Sequence, residues 1–334
     1  MRSSTKFIGA TCLSLMAFAA TGCGGDTAAT GCGKDSAKGT AIKYVTSDVA
    51  LPSGTMTFGI DIDGNGKADN QLAKITGVIG SQFDLAGPVT KAVKDGDLLI
   101  GMAVTAENLT DACASVSASL LKKPANPPKL DGTDTLMVDA GQMTANLFGG
   151  IGPAGSTTAG NLSTVLPPKQ TADNVQKIQL NIPLAGGILP LAIAGAHVQG
   201  TVNANGIMSG QIHGVISKAD VDSKVIPAIA QVLTDLINKD PNGSSAKTVI
   251  QLFEDMNNPV SKAKCMVAKD CCATNPMTCK IIADEVKGQA LIGSFLAPDV
   301  QVFDSAGAWK PVAGGTDKNG LSVGLGFTAV KATF

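Results

Sequence analysis

The chain is poor in charge and in aromatic rings: 16% of its residues are charged, 4% are aromatic, and it holds one Trp, one Tyr and two His. So little charge, split as 26 Lys+Arg against 27 Asp+Glu, excludes a disordered chain and a protein that wraps nucleic acid. With Trp309 and Tyr44 alone, flat platforms for stacking sugars are scarce. Two His, with no Gly-x-Ser-x-Gly elbow, no His-Glu-x-x-His and no Walker A loop, leave the familiar catalytic constellations undersupplied. Asp is plentiful, yet no carboxylate pair is singled out for glycoside hydrolysis. Long apolar runs are missing as well. The stretch from Ile178 to Val198 is broken by Pro183, Gly186, Gly187 and Pro190, so no span is expected beyond the first residues. What abounds is Gly (39), Pro (16), Val, Ile, Thr and Ala, the composition of strands and tight turns.

The N-terminus carries Arg2 and Lys6, then an uncharged run from Phe7 to Thr21 that is too short for a mature transmembrane helix and reads as a secretory signal. It ends in Ala20-Thr21-Gly22-Cys23, which is similar to the lipobox of bacterial lipoproteins, with Ala20 where Leu is usual. That likeness implies a signal peptide over 1–22 and lipidation of Cys23. Acyl chains there would hold the protein to a membrane, because each buried methylene contributes about 0.8 kcal/mol. Gly24, in place of an Asp that favours inner-membrane retention, points to the outer membrane. Cleavage after Ala17-Phe18-Ala19 is the alternative and gives a freely secreted protein. Residues 23–42 open with Gly, Thr, Ala, Asp and Lys and read as a flexible, lipidated tether.

Setting aside Cys12 and Cys23 leaves Cys32, Cys113, Cys265, Cys271, Cys272 and Cys279, an even number in an exported chain, which implies up to three disulfides. Four of them fall between 265 and 279, so this loop is expected to be stapled locally. Zinc knuckles need paired short spacings that an adjacent Cys-Cys does not supply. Cys32 with Cys113 is the remaining pairing.

Periodicity organises the rest. Strands are expected at Thr55–Ile60, Leu98–Thr105, Ala114–Leu121, Thr135–Asp139, Val175–Leu184, Pro190–Asn203, Ile207–Ser217 and from Leu321 to the terminal Phe334. Helical spacing appears over Asn70–Ile79 and Pro88–Val93, from Val225 to the Pro241-Asn242-Gly243 stop, over Ala246–Met256 and over Lys280–Phe295. The expected fold is mainly β with a helical insertion (α+β): a single antiparallel β-sandwich or barrel-like domain over 43–334, with a helical, Cys-rich insertion about 218–297.

Five segments, Phe58–Asn70, Gly195–Gln199, Gly210–Gly214, Leu296–Val300 and Gly324–Val330, together resemble a group of uncharacterised secreted lipoproteins of myxobacterial type. The resemblance covers most of the mature chain; it implies export and one domain, and brings no activity with it. Within the first segment, Asp61, Asp63, Asn65 and Asp69 occupy loop positions 1, 3, 5 and 9, Gly66 occupies position 6, and Lys67 offers a backbone carbonyl at 7. Alternate oxygens closing on one point around a Gly turn suit a hard cation, so Ca²⁺ is the expected ligand, held with an affinity of about 10⁻⁴ to 10⁻³ M. Leu72 replaces the bidentate Glu of an EF-hand, and the preceding segment reads as strand, so the loop is closer to the calcium loops of integrin-like β-propellers. A solvated acidic turn without an ion is the alternative.

Both histidines fall in one expected hairpin. A three-residue turn Ala204-Asn205-Gly206, with Gly206 left-handed, sets Asn203 against Ile207 and His197 against His213. Alternation then puts His197, Gln199, Thr201, Ser209, Gln211 and His213 on one face. Such a stripe suits a Zn²⁺ or Cu²⁺ ligand pair or an acid/base pair. It equally suits a solvated face or binding groove without metal. Taken together, the expected role is non-enzymatic: a lipid-anchored envelope protein with a structural calcium loop and a surface for a macromolecular partner or assembly. The alternatives are a secreted hydrolase or metal-dependent enzyme using the His197–His213 face, and a carrier of a small apolar ligand.

Overall fold

A computed structural model of the chain describes residues 37–53, 57–79, 86–141, 145–154, 158–171, 175–184, 187–253, 259–267, 270–277 and 279–334. Nine strands form one antiparallel sheet: β1 (Thr40–Ala50), β2 (Ile100–Ala106), β3 (Ala114–Leu120), β4 (Ala145–Pro153), β5 (Ala159–Thr164), β6 (Lys177–Leu184), β7 (Gly187–Asn203), β8 (Gly206–Ser217) and β9 (Gly320–Lys331). The order β5-β4-β3-β2-β1-β9-β8-β7 closes on itself because β5 also pairs with the last residues of β7, from Ser163↔Gln199 to Ala159↔Asn203. Closure leaves a ring of eight strands without a free edge, while β6 hangs on the first half of β7. The expected mainly antiparallel, barrel-like body with helices is what the chain forms.

Side-chain alternation fills the ring. Tyr44, Ile100, Met102, Val104, Val116, Ala118, Leu120, Leu147, Ile151, Leu162, Val198, Val202, Ile212, Val323, Leu325 and Phe327 belong to one buried cluster. The long connections sit at one end of the ring. Segments 51–99, 121–144 and 218–319 all leave from the Ser217 end, whereas the strand-to-strand connections at the Thr40 end, 107–113, 154–158 and the 204–205 turn, are short. At the elaborated end, α1 (Gln71–Ile79) and α2 (Ala86–Asp95) follow β1, and Ile75, Val89 and Val93 join the main core. Between β8 and β9 lie α3 (Lys218–Asp220), a π turn at Val221–Val225, α4 (Ile226–Lys239), α5 (Ser244–Phe253), α6 (Pro259–Cys265), α7 (Ala283–Gly288) and α8 (Ala290–Leu296). α4 buries Ile226, Ala230, Leu233 and Ile237 at helical spacing, and α5 buries Val249 and Phe253, so both helices extend the same core. Disulfides Cys265–Cys271 and Cys272–Cys279 staple the loop that follows α6. Cys113 is disulfide-bonded and lies at the Thr40 end; Cys32 and Cys23, the expected 1–22 signal and most of the expected 23–42 tether lie outside the described residues.

Several expectations need correction. The tether stretch ends early, because Thr40, Ala41 and Ile42 already pair with Ala106, Thr105 and Val104. No strand runs over the described part of Thr55–Ile60; Ile60 forms one isolated bridge with Asp69, and Phe58 is left-handed (φ 45°). Over Thr135–Asp139 only the bridges Thr135↔Thr333 and Leu121↔Val138 form. The helix expected over Lys280–Phe295 is two short ones, broken at Gln289, whose backbone is extended and whose side chain caps α8 by accepting from Ile292 N–H.

Candidate metal centre

Between the bridge partners Ile60 and Asp69 the chain makes a tight acidic loop. Asp61 organises it: its carboxylate accepts from Gly64 N–H (2.8 Å), Asn65 N–H (3.0 Å) and Gly66 N–H (2.9 Å). Gly64 (φ 85°) and Gly66 (φ 81°) are left-handed, a conformation a Cβ disfavours and one the reversal requires. Asp63 accepts from Asn65 N–H, Asn65 from Lys67 N–H, and Asp69 from Ile62 N–H, so Asn65 and Lys67 close the turn. One carboxylate oxygen each of Asp61, Asp63 and Asp69 fall within 4.8 Å of one another.

This cluster is not simply solvated. The Asp63 side chain is fully buried, and Lys318 Nζ stands 4.0 Å from its carboxylate. Burial pushes the Asp69 carboxyl up to about 6; the hydrogen bond from the Ile62 amide opposes this, and repulsion from Asp63, Asp299 and Asp61 adds to it. Three carboxylates this close repel one another, and an added cation would relieve that repulsion directly.

The loop is seated on the outer wall of the barrel. Ile62 packs with Ala194, Val215, Val300, Val302 and Trp309 in a second buried cluster. Gly195 (φ 60°) makes room for the indole of Trp309, whose Nε1–H donates to the Pro167 carbonyl. Asn70, next to Asp69, accepts from Gly324 N–H and donates to the carbonyls of Gly324 and Thr57. Ser322, two residues earlier on β9, accepts from Gln71 N–H and donates to Asp299. Gly324 and Gly326 have no side chains to hold Phe58 away; a Cβ on either would collide with its carbonyl or its ring. The five segments singled out in the sequence therefore meet at one place, by contacts that sequence spacing does not show.

Beneath Phe58 and Asn70 lie the two histidines. β7 and β8 pair His197 with His213 and Gln199 with Gln211. The turn itself differs from expectation: it holds two residues, with Val202 opposite Ile207, and Gly206 is not left-handed. Asn203 Oδ1 accepts from Asn205 and Gly206 N–H and closes the turn, while a bulge near Ser209 (φ 51°) restores the expected register. The rings stack with centroids 5.7 Å apart, and both residues are 0% exposed. A solvated face is thus excluded for these two side chains, because the 57–70 segment and Thr164 roof the strand surface. Thr164 Oγ1 lies 3.2 Å from His197 Nδ1, Gln199 Oε1 lies 3.4 Å from His197 Nε2, and Gln199 donates to Gln211. His213 has no hydrogen-bond partner at either nitrogen. Burial pulls His197 down to about 4 and, with repulsion from His197, pulls His213 down to about 3.

Neutral imidazoles sealed from solvent are poorly placed to exchange protons with a substrate, which removes the observation that favoured an enzyme on this face. The chain matches no protein-family model, no curated protein and no solved structure, so its functional reading rests on the chemistry of this site.

Proposed function

We propose that the protein is an exported, lipid-anchored component of the bacterial cell envelope whose acidic loop binds Ca²⁺ as a structural ion. The observation that carries the calcium reading is the meeting of Asp61, Asp63 and Asp69 oxygens within 4.8 Å around a buried Asp63 side chain. All-oxygen donors on a Gly turn match a hard cation of flexible coordination. Its role is structural because the same segment carries Ile62 and Asn70, which fasten the loop to the Trp309 cluster and to β9.

The signal-like N-terminus supports the anchor, and the unequal ends of the barrel support the partner surface. Cys23 precedes the first strand residue, Thr40, by a short stretch, so an acylated Cys23 would hold the short-looped end toward the outer membrane. The opposite end, with the helices, the two disulfides of the insertion and the acidic loop, would face outward, where a macromolecular partner can reach it.

The test is a thermal melt in chelator and in millimolar Ca²⁺, with Mg²⁺ as control. At ten times Kd an ion contributes about 1.4 kcal/mol, a rise of roughly 2–6 °C for a protein of this size. We expect that rise with Ca²⁺, little with Mg²⁺, and none in Asp63→Asn; equal melts in all three conditions would reject the site. Mass spectrometry of the N-terminal peptide tests the anchor separately, since acylated Cys23 and a free N-terminus near residue 20 differ in mass by several hundred daltons, on the order of two or three acyl chains.

A further inference from the structure

The geometry points to a second device beneath the acidic loop: we propose that the stacked His197–His213 pair is an acid-sensitive latch that releases segment 57–70 from the barrel wall. Three observations carry this. His213 is fully buried, and apart from the Phe58 carbonyl that faces it, too poorly placed for a full hydrogen bond, its ring nitrogens find no partner, an arrangement tolerable for a neutral imidazole and unfavourable for an imidazolium. The groups that face the pair are His197 and Gln199 on β7, Thr164 on β5, Gln211 on β8, Gly324 on β9, and Asn70 with the Phe58 carbonyl on the roof. No carboxylate is among the groups acting on either ring, so a proton gained there meets no counter-charge and is repelled by the second imidazole. The roof is also the weakest wall. It is held by the Asn70 side chain, the Gln71–Ser322 and Gly314–Asp63 bonds and Ile62 in the Trp309 cluster, whereas the floor is three strands of a closed ladder. Phe58 sits in a left-handed conformation that a non-glycine residue leaves readily.

The sign is fixed by burial. Both rings hold protons less tightly when folded, so the stability they allow is complete above the ordinary histidine value of 6.5 and is lost as pH falls toward about 4 and then 3. Asp69 acts in the opposite sense: with its carboxyl raised to about 6, acidification relieves repulsion in the loop. Opening on acidification is therefore assigned to the histidines. Lifting the segment lets water reach His213 while the strands stay paired, which makes the response local. The latch does not depend on whether the loop holds an ion.

Trp309, the one Trp of the chain, shares its cluster with Ile62 and reports on the roof. The experiment is a titration of the protein in chelator from pH 7 to pH 3, following Trp309 emission together with far-ultraviolet circular dichroism. The expected result is a red shift of Trp309 emission that precedes loss of the β signal, with a midpoint that falls by about one pH unit or more in His213→Gln. Hydrogen exchange on the unmodified protein keeps the test open if that variant does not fold. There, protection of the Ile62 and Asp69 amides should drop before that of Val198 and Ile212. Emission and β signal lost together, a midpoint unchanged in His213→Gln, or simultaneous loss of protection in loop and strands would each overturn the latch. Repeating the titration in Ca²⁺ separates the two readings, because failure of the ion to bind leaves the chelator result as it stands.

Discussion

Alanine at Gly324 is expected to unseat the acidic loop while leaving the barrel closed. The added methyl would meet the Phe58 carbonyl oxygen and crowd the Asn70 amide and His213, and the first of these is backbone that cannot rotate away. Overpacking of this kind costs about 1–3 kcal/mol. The cheapest relief is to move segment 57–70, which surrenders the Asn70 bonds to β9 and the packing of Ile62 on Trp309. The variant should show a red-shifted Trp309 emission at neutral pH, a lowered melt and loss of the Ca²⁺-dependent rise, with its β signal intact. Wild-type emission together with a wild-type calcium response would mean that the loop does not rest on β9 as described.

Reduction of the two disulfides in the insertion is expected to lower stability by roughly 5 kcal/mol. The bridges join residues 6 and 7 apart, and closing loops that short restricts the unfolded chain by about 2.4 kcal/mol each. Cys272 and Cys279 also lie in the main core with Ile281 and Val286, so loosening the loop disturbs packing around α4 and α7. Against the ~5–15 kcal/mol typical of a whole domain this is a large share, and the melt should fall by roughly 10–20 °C in reductant. Proteolysis should then cut near 265–280 before it cuts the strands. A melt indifferent to reductant would contradict a stapling role for these bridges.

The parts of the fold with strong period were legible. β2, β3, β7, β8 and β9 alternate or run apolar, and α4 repeats its apolar positions at helical spacing. The facing of His197 and His213 could be read because the hairpin turn constrains its strands, although the turn is one residue shorter than spacing suggests and the bulge at Ser209 compensates. β4 and β5 give no clear period because Gly, Asn and other small residues interrupt their few large apolar positions. Gly149 and Gly160 are needed where backbones of neighbouring segments come too close for a Cβ, and that need is invisible without the neighbours. The start of β1 resembles tether in sequence, since Thr40, Ala41 and Ile42 gain their partners Ala106, Thr105 and Val104 only from β2, far along the chain. The loop's oxygen positions were plain in the sequence; its support was not. That Phe58 would turn left-handed, that Asn70 would clamp β9 and that a polar strand face would be roofed over are consequences of contacts between distant segments.

Direct binding of a cation at the acidic loop is the measurement that matters most. Tb³⁺ has the hard-oxygen preference of Ca²⁺ and luminesces when an excited indole is near, and Trp309 packs against Ile62 inside the loop. Tb³⁺ added to the protein at neutral pH is expected to give Trp309-sensitised emission that saturates at one ion per chain, is displaced by millimolar Ca²⁺ and disappears in Asp63→Asn. Absence of sensitised emission, or emission that persists undiminished in Asp63→Asn, would contradict a calcium site built from Asp61, Asp63 and Asp69.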